Sequence, residues 1–251
     1  MKIFNLVTSF LFSVVSVQAQ ELFIEKGKIE FERTINVHKR LEDDMSENNS
    51  SFLEAIKKQV PQHKSTYFNL YFDHDKTLYE PGREVEVAKK VPSWMTGPAE
   101  DNIVYSDLSS KTFSSLKNVF ENTYNIQDSL RKAEWKITPD TRTIAGFLCR
   151  KATTTIMDSV YVFAFYTDQI ITRGGPESFS GLPGMILGIA IPRMHTTWFA
   201  TKLETSDPNI STIAPPKKGK KTNISSLKTT LYNSLKQRGK NGQRYTWNIL
   251  I

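Results

Sequence analysis

Two neighbouring runs, Thr143–Ile156 (TIAGFLCRKATTTI) and Ser159–Ile171 (SVYVFAFYTDQII), decide the fold class of this chain. β-branched and aromatic side chains fill both, and only Met157-Asp158 stands between them, the composition and spacing of a tight hairpin. Just upstream, Ala133–Thr138 (AEWKIT) is set off by Pro139-Asp140-Thr141-Arg142, which reads as a turn. These are three consecutive strand candidates, and from Ala133 onward the chain is plainly β.

The period-two pattern continues toward the N-terminus. Within Leu22–Val37, Ile29, Phe31, Arg33 and Ile35 alternate with Glu30, Glu32 and Thr34, the signature of a half-buried strand. Ser65–Pro81 carries two such runs about Asp73-His74-Asp75-Lys76 and reads as a hairpin; Asn102–Asp107 with Ser109–Asn118 begins another. Phe52, Leu53, Ile56 and Val60 are spaced for a short amphipathic helix that Pro61 ends. Thr123–Arg131 places Ile126 and Leu130 at helical spacing over too short a run to assign, and the proline-rich Pro81–Glu100 reads as a surface excursion. Toward the C-terminus, Met185–Ile191 and Thr196–Glu204 form a strand pair around Pro192-Arg193-Met194-His195. A proline- and lysine-rich connector follows Ser206, and Asn223 caps a last helix with Ile224, Leu227, Leu231 and Leu235 on one face and Gly239 as its stop.

Composition sets the outer limits. The chain has 251 residues, 39% of them apolar and 11% aromatic, enough for an ordinary core. Residues 1–19 read as a signal peptide: Lys2 precedes the mostly apolar Ile3–Val17, and Val17-Gln18-Ala19 is a small-x-small cleavage site. Removing that leader takes away one lysine and no acid, so the net charge of +7 falls by one and stays basic. The lone cysteine, Cys149, offers neither an internal disulfide nor a lipid attachment point near the cleavage site. The expected product is therefore periplasmic or extracellular, not a lipoprotein and not an integral membrane protein. Three parts are expected: the leader 1–19, a β-rich domain 20–206, and a basic linker with a C-terminal helix, 207–251.

Between the β-rich runs and the last strand pair lies Gly174–Leu187, GGPESFSGLPGMIL. Pro183 fixes its φ near −65°, while Gly181 and Gly184 on either side of Leu182-Pro183 accept positive φ, so the four residues favour one compact loop shape that feeds a buried strand. The order of signatures WKITPDTRTIAGFLCRKA, AFYTDQI and GGPESFSGLPGMILGI resembles the GLPGLI family of secreted Bacteroidota-type proteins, named for the motif that here reads Gly181-Leu182-Pro183-Gly184-Met185-Ile186. The resemblance covers Val104–Glu204, with Phe165 where tryptophan is commoner and Gly188 where an acid is frequent. It implies an exported, uncharacterised, predominantly antiparallel β protein with no established activity, cofactor or catalytic residue. By analogy with LolA-like lipoprotein carriers, the expected fold is α+β: a curved sheet or half-barrel with a few helices, including a C-terminal one.

Candidate chemistry is sparse. Asp73, His74, Asp75 and His195 are the metal or acid–base candidates, since imidazole and carboxylate suit divalent metals, although Asp73-His74-Asp75 also reads as a solvated turn with its two acids on one face. Cys149, in a strand pattern, reads as a buried inert thiol. The sequence G-x-S-x-G is absent, because Gly175-Pro176-Glu177-Ser178-Phe179 fails at its last position, and Glu177 has no second carboxylate beside it. No cofactor and no nucleic acid are expected. With no catalytic set in view, the expectation is a non-enzymatic envelope module that binds an apolar or amphipathic ligand, a lipid, a glycan or an outer-membrane protein. The alternative is a metal- or carboxylate-dependent hydrolase acting on envelope polymers.

Overall fold

A computed structural model describes residues 23–45, 50–85, 91–157, 159–205 and 213–251; the leader expected at 1–19 and part of the connector after Ser206 lie outside them. Twelve strands are found in the described residues: β1 (Lys26–Asn36), β2 (His63–Asp73), β3 (Lys76–Pro81), β4 (Ile103–Asp107), β5 (Thr112–Val119), β6 (Asn122–Ser129), β7 (Lys136–Ile144), β8 (Phe147–Ile156), β9 (Val160–Thr167), β10 (Met185–Ile191), β11 (Thr196–Glu204) and β12 (Lys220–Thr222). Five helices accompany them: α1 (Val37–Asp44), α2 (Ser50–Gln59), α3 (Ser93–Thr96), α4 (Ile224–Leu235) and α5 (Gly239–Leu250).

The strands form one open sheet in the order β12-β6-β5-β4-β3-β2-β1-β11-β10-β9-β8-β7. Every neighbouring pair is antiparallel except β12 on β6. The expected curved antiparallel sheet with a few helices, one of them C-terminal, is thus what the chain forms. Strand β1 shows why: its inner residues Ile29, Phe31, Arg33 and Ile35 are buried while their neighbours are partly exposed, and a one-residue slip in register would turn that whole set outward. Strand β10 is buried on both faces apart from Ala190, as its unbroken apolar run requires.

Loop 168–184 and helices α4 and α5 cover the inner face. Leu227, Leu231 and Leu235 of α4 and Trp247, Ile249 and Leu250 at the chain's end join the main core with Phe31, Phe68 and Ile189. Each such large apolar side chain contributes about 1.5–3 kcal/mol on full burial. Asn223 caps α4 as expected, its Oδ1 accepting the Ser226 amide at 2.8 Å. A smaller cluster of Val37, Leu41, Val60 and Met95 ties α1, α3 and the end of α2 together at one rim. Among the described residues no helix is long and apolar enough to cross a membrane.

Three expectations give way to the structure. Pro139–Arg142 is no turn: β7 runs through it, with a register shift between Ile137 and Thr141. The proline is tolerated because β7 is the sheet's edge and the bulge removes the ladder bond it could not donate. Thr123–Arg131 belongs largely to β6, and the helix that Asn223 caps ends before Gly239 but is not the last, since the chain turns there, at φ +52°, into α5.

Two glycines test how far the turns depend on backbone freedom. Gly184 has φ +147°, and a Cβ built there would lie 2.0 Å from the Thr167 carbonyl oxygen. Gly146, in the β7–β8 turn, has φ +86° with nothing within 4 Å of such a Cβ. Gly146→Ala should therefore cost about 1 kcal/mol, whereas Gly184→Ala, strained and clashing with backbone, should cost at least about 3 kcal/mol or prevent folding. Urea unfolding of both variants checks this order; equal midpoints would refute it.

Candidate functional site

After β9 the chain recrosses the sheet as a loop sewn down along its length. Ile171 N–H donates to Ile24 O (3.1 Å), Thr172 Oγ1 to His74 O (2.7 Å), Gly181 N–H to Arg173 O (3.3 Å) and Ile186 N–H to Gly174 O (2.8 Å). Trp135 Nε1 donates to Ser180 O at 2.9 Å and Ser178 Oγ to Ile251 O at 3.0 Å. The side chains of Phe179 and Leu182 point into the core. The motif Gly181–Ile186 is therefore a backbone device that lets the loop enter β10 with its hydrogen bonds filled.

Beneath this loop lies the most unusual chemistry of the molecule. Glu177 has φ +55°, a conformation costly for a residue with a Cβ, and is 2% exposed. Asn102 Nδ2 donates to both its carboxylate oxygens, at 3.1 and 3.0 Å, and Lys117 Nζ of β5 lies 3.5 Å from Oε2. Burial pulls the Lys117 ammonium below its ordinary pKa, an effect that the Glu177 charge opposes. On the same face are Arg33 of β1, stacked 5.5 Å from the centre of the Trp198 ring, and Tyr79 of β3, whose ring stacks on Phe68 at 4.7 Å. Burial lowers the Arg33 pKa and raises that of Tyr79 well above 10.

The loop also walls a cavity of about 1300 Å³ that opens to solvent and is lined by Arg173, Ser180 and Gly181 of the loop together with Asp75, Lys111 and Lys228. Asp128 lies on the same lining and is engaged, its Oδ2 accepting the Ile224 amide at 3.0 Å at the start of α4. The lining is mostly apolar, with Leu108, Leu130 and Ile171 among its residues, and most of its charged groups are basic, so it offers hydrogen-bond donors and apolar surface together, the mixture that a polyhydroxylated ligand needs.

The structure separates the histidine candidates. His74, in the β2–β3 turn, is exposed and donates from Nδ1 to Asp73 Oδ1 at 2.5 Å, with Glu25 at 3.4 Å from Nε2; its amide bonds Glu25 O before the start of β1. His195 pairs with Asp43 at 2.8 Å and accepts the Asn36 amide at the far end of β1, about 35 Å away at some 3.3 Å per residue. Among the described residues no three His, Cys, Asp or Glu gather as a metal site. Of the four candidates only Asp75 borders the cavity that the motif loop walls. Cys149 is fully buried, and burial pushes its thiol up to about 11.

Arg33, Tyr79, Asn102 and Lys117 were not among the sequence candidates. The signal existed for two of them: Arg33 stands in phase with Ile29, Phe31 and Ile35, and Lys117 with Phe113, Ser115 and Val119, so each is a charge on the buried face of its strand.

Two outcomes follow from this electrostatics. Glu177→Gln leaves Lys117 as a buried charge without a counter-ion and should cost about 3–5 kcal/mol, while the double variant with Lys117→Met should recover most of the loss; urea unfolding of the cycle measures it, and additive losses would refute the coupling. For His74, Asp73 raises the pKa above the ordinary 6.5. Its small contribution to stability is then complete below pH 6.5 and disappears as pH rises through the raised value. An NMR titration should place His74 above 6.5 and bring it back down in Asp73→Asn; an identical midpoint in the variant would contradict this.

Comparison with known proteins adds three findings. The family model described as "N-glycanase peptide, N-terminal domain" (PNGase F-II) matches residues 80–227. No curated protein matches the chain in sequence. The solved structures of PNGF-II in its C2 and P21 crystal forms superpose with TM-scores of 0.51 and 0.52 at 14% and 15% identity, covering 83% and 84% of this chain but only 33% and 34% of theirs. The chain thus spans about a third of the length of those neighbours. The matched range contains the GLPG loop, so the GLPGLI resemblance is corrected: the motif serves loop geometry and does not by itself identify a family. The expectation of a non-enzymatic module for an apolar ligand falls with it, and the inner face gives the physical reason, since loop and helices already fill the concavity.

Proposed function

Because the chain belongs to the family of N-glycanase N-terminal domains, we propose that it works in the hydrolytic processing of protein-linked glycans, as a glycan-handling domain of an N-glycanase-type enzyme. The observation that carries this reading is the reach of the family match: residues 80–227 include Leu108, Lys111, Leu130, Arg173, Ser180 and Gly181 of the cavity lining. Sugar hydroxyls accept hydrogen bonds from Lys and Arg heads, and pyranose C–H faces pack on apolar floor residues such as Leu130 and Ile171. Asp75, exposed at the cavity, is the carboxylate available to a bound substrate; Glu177, sealed in its ion pair, acts on the loop. The leader-like residues 1–19 support export, which would bring the domain to glycoproteins outside the cytoplasm.

Residues 20–251 mixed with an N-linked glycopeptide should bind it saturably and ignore the same peptide without its glycan. Arg173→Ala should weaken binding about tenfold or more, the scale of one lost charge-assisted hydrogen bond. Mass spectrometry of the same mixture reads glycan release: release assigns the hydrolysis to this domain, and binding without release assigns it to the rest of the enzyme. The absence of both binding and release would overturn the reading.

A further inference from the structure

The inner face of the sheet carries a buried positive charge whose hydrogen-bond donors its surroundings leave without an acceptor. Arg33 is fully buried, and Nε, Nη1 and Nη2 all lack a hydrogen-bond partner among the described residues. Its cross-strand neighbour is Trp198, whose Nε1 is likewise unpartnered and buried. The Tyr79 hydroxyl, also buried and unpartnered, lies against Trp198 without reaching hydrogen-bond geometry and feels the Arg33 charge. Phe68, on which Tyr79 stacks, pairs across β1 with Phe31, two residues from Arg33 on the same face. Glu177, the nearby buried carboxylate, is already held by Asn102 and Lys117.

Guanidinium and indole N–H groups only donate, and the tyrosine hydroxyl has its proton free to donate; what is missing is an acceptor. A guanidinium does not shed its proton in the physiological range, so neutralisation has to come from a partner. Water would fill donors but leave the charge uncompensated in a low-dielectric interior, where an unpaired ion is costly. Of the acids that act on Arg33, Glu177 is engaged by Asn102 and Lys117 and Glu100 by Lys64, and the buried Arg40 adds further positive charge, so a small anion beside Arg33 supplies both an acceptor and charge of the needed sign, and a singly charged one is the least costly to desolvate.

We propose that Arg33, Tyr79 and Trp198 form a buried site for a small monovalent inorganic anion of halide size, enclosed beneath the motif loop. The site is independent of the glycan reading: it is a constituent of the folded domain, loaded as the loop closes over the sheet, and it makes stability depend on the anion present.

Equilibrium urea unfolding of residues 20–251 tests this in sodium chloride or bromide against sodium methanesulfonate at matched ionic strength. Above saturation the unfolding constant should fall tenfold for each tenfold rise in halide. Tyr79→Phe, which keeps the ring stack and removes one donor, should shift this dependence to higher halide concentration, and Arg33→Met should abolish it. Crystals grown in bromide give a second readout that needs no variant: an anomalous peak within hydrogen-bond reach of the Arg33 guanidinium. Two results would each overturn the proposal. One is a wild type indifferent to halide with no peak beside Arg33, which means that water serves these donors. The other is a halide effect equal in the wild type and Tyr79→Phe with peaks only at the surface, which means an adventitious ion only.

Discussion

Glu177 is where the loop and the sheet are made into one object. Its carboxylate sits between Asn102, ahead of β4, and Lys117 of β5, so one side chain joins the recrossing loop to strands made much earlier in the chain. The surrounding interior has a low dielectric, which makes the pair strong and makes each partner costly without the other. That coupling holds the left-handed backbone at Glu177 against its local preference. Strain of this kind persists only where the surroundings over-determine it, and here they include eight or so loop hydrogen bonds of ordinary length as well as the buried Phe179 and Leu182.

The other features follow from that seated loop. It leaves the inner face covered, so α4 and α5 pack their apolar side chains against a surface already half closed. Its outer edge, Ser180 and Gly181, becomes one wall of the solvent-facing cavity, while α4 supplies the opposite wall through Lys228. A rigid wall beside a cavity that carries hydrogen-bond donors is what recognition of a hydroxyl-rich ligand requires, because each hydrogen bond then forms without ordering the backbone first. Arg33, on the same inner face, is fully buried as well, a charge in need of compensation.

Much of the sheet was legible in the sequence because half-burial writes itself as alternation. Strands β1, β2, β8 and β9 declare it in Ile29-x-Phe31, Phe68-x-Leu70-x-Phe72 and the aromatic run Val160–Tyr166. Strand β6 hides behind its polar text NTYNIQDS, whose Asn125 is satisfied by the carbonyls of Pro216 and Lys218 from the far end of the chain. Helix α5 holds two glycines and poor formers; Trp247 and Leu250 stabilise it through packing, and tertiary contact overrides propensity. The candidate site was legible only in part. The GLPG turn announces itself, and Glu177 is visible within it, but Asn102 lies 75 residues away and nothing local ties the two together. Family identity was the least legible, because the residues that stand out by eye are those that shape a turn, whereas the match to N-glycanase N-terminal domains extends over residues 80–227.

Native-state hydrogen exchange of the Ile171 and Ile186 amides tests the central claim most directly, since these two report the loop's bonds to Ile24 O and Gly174 O. A loop that Glu177 makes part of the sheet predicts exchange only through global unfolding, as slow as the amide of Phe31 in β1. Exchange of Ile171 and Ile186 by a separate, lower-energy opening, with Phe31 still protected, would contradict it: the loop would then be a lid resting on the sheet, and the buried ion pair would not be what holds the domain together.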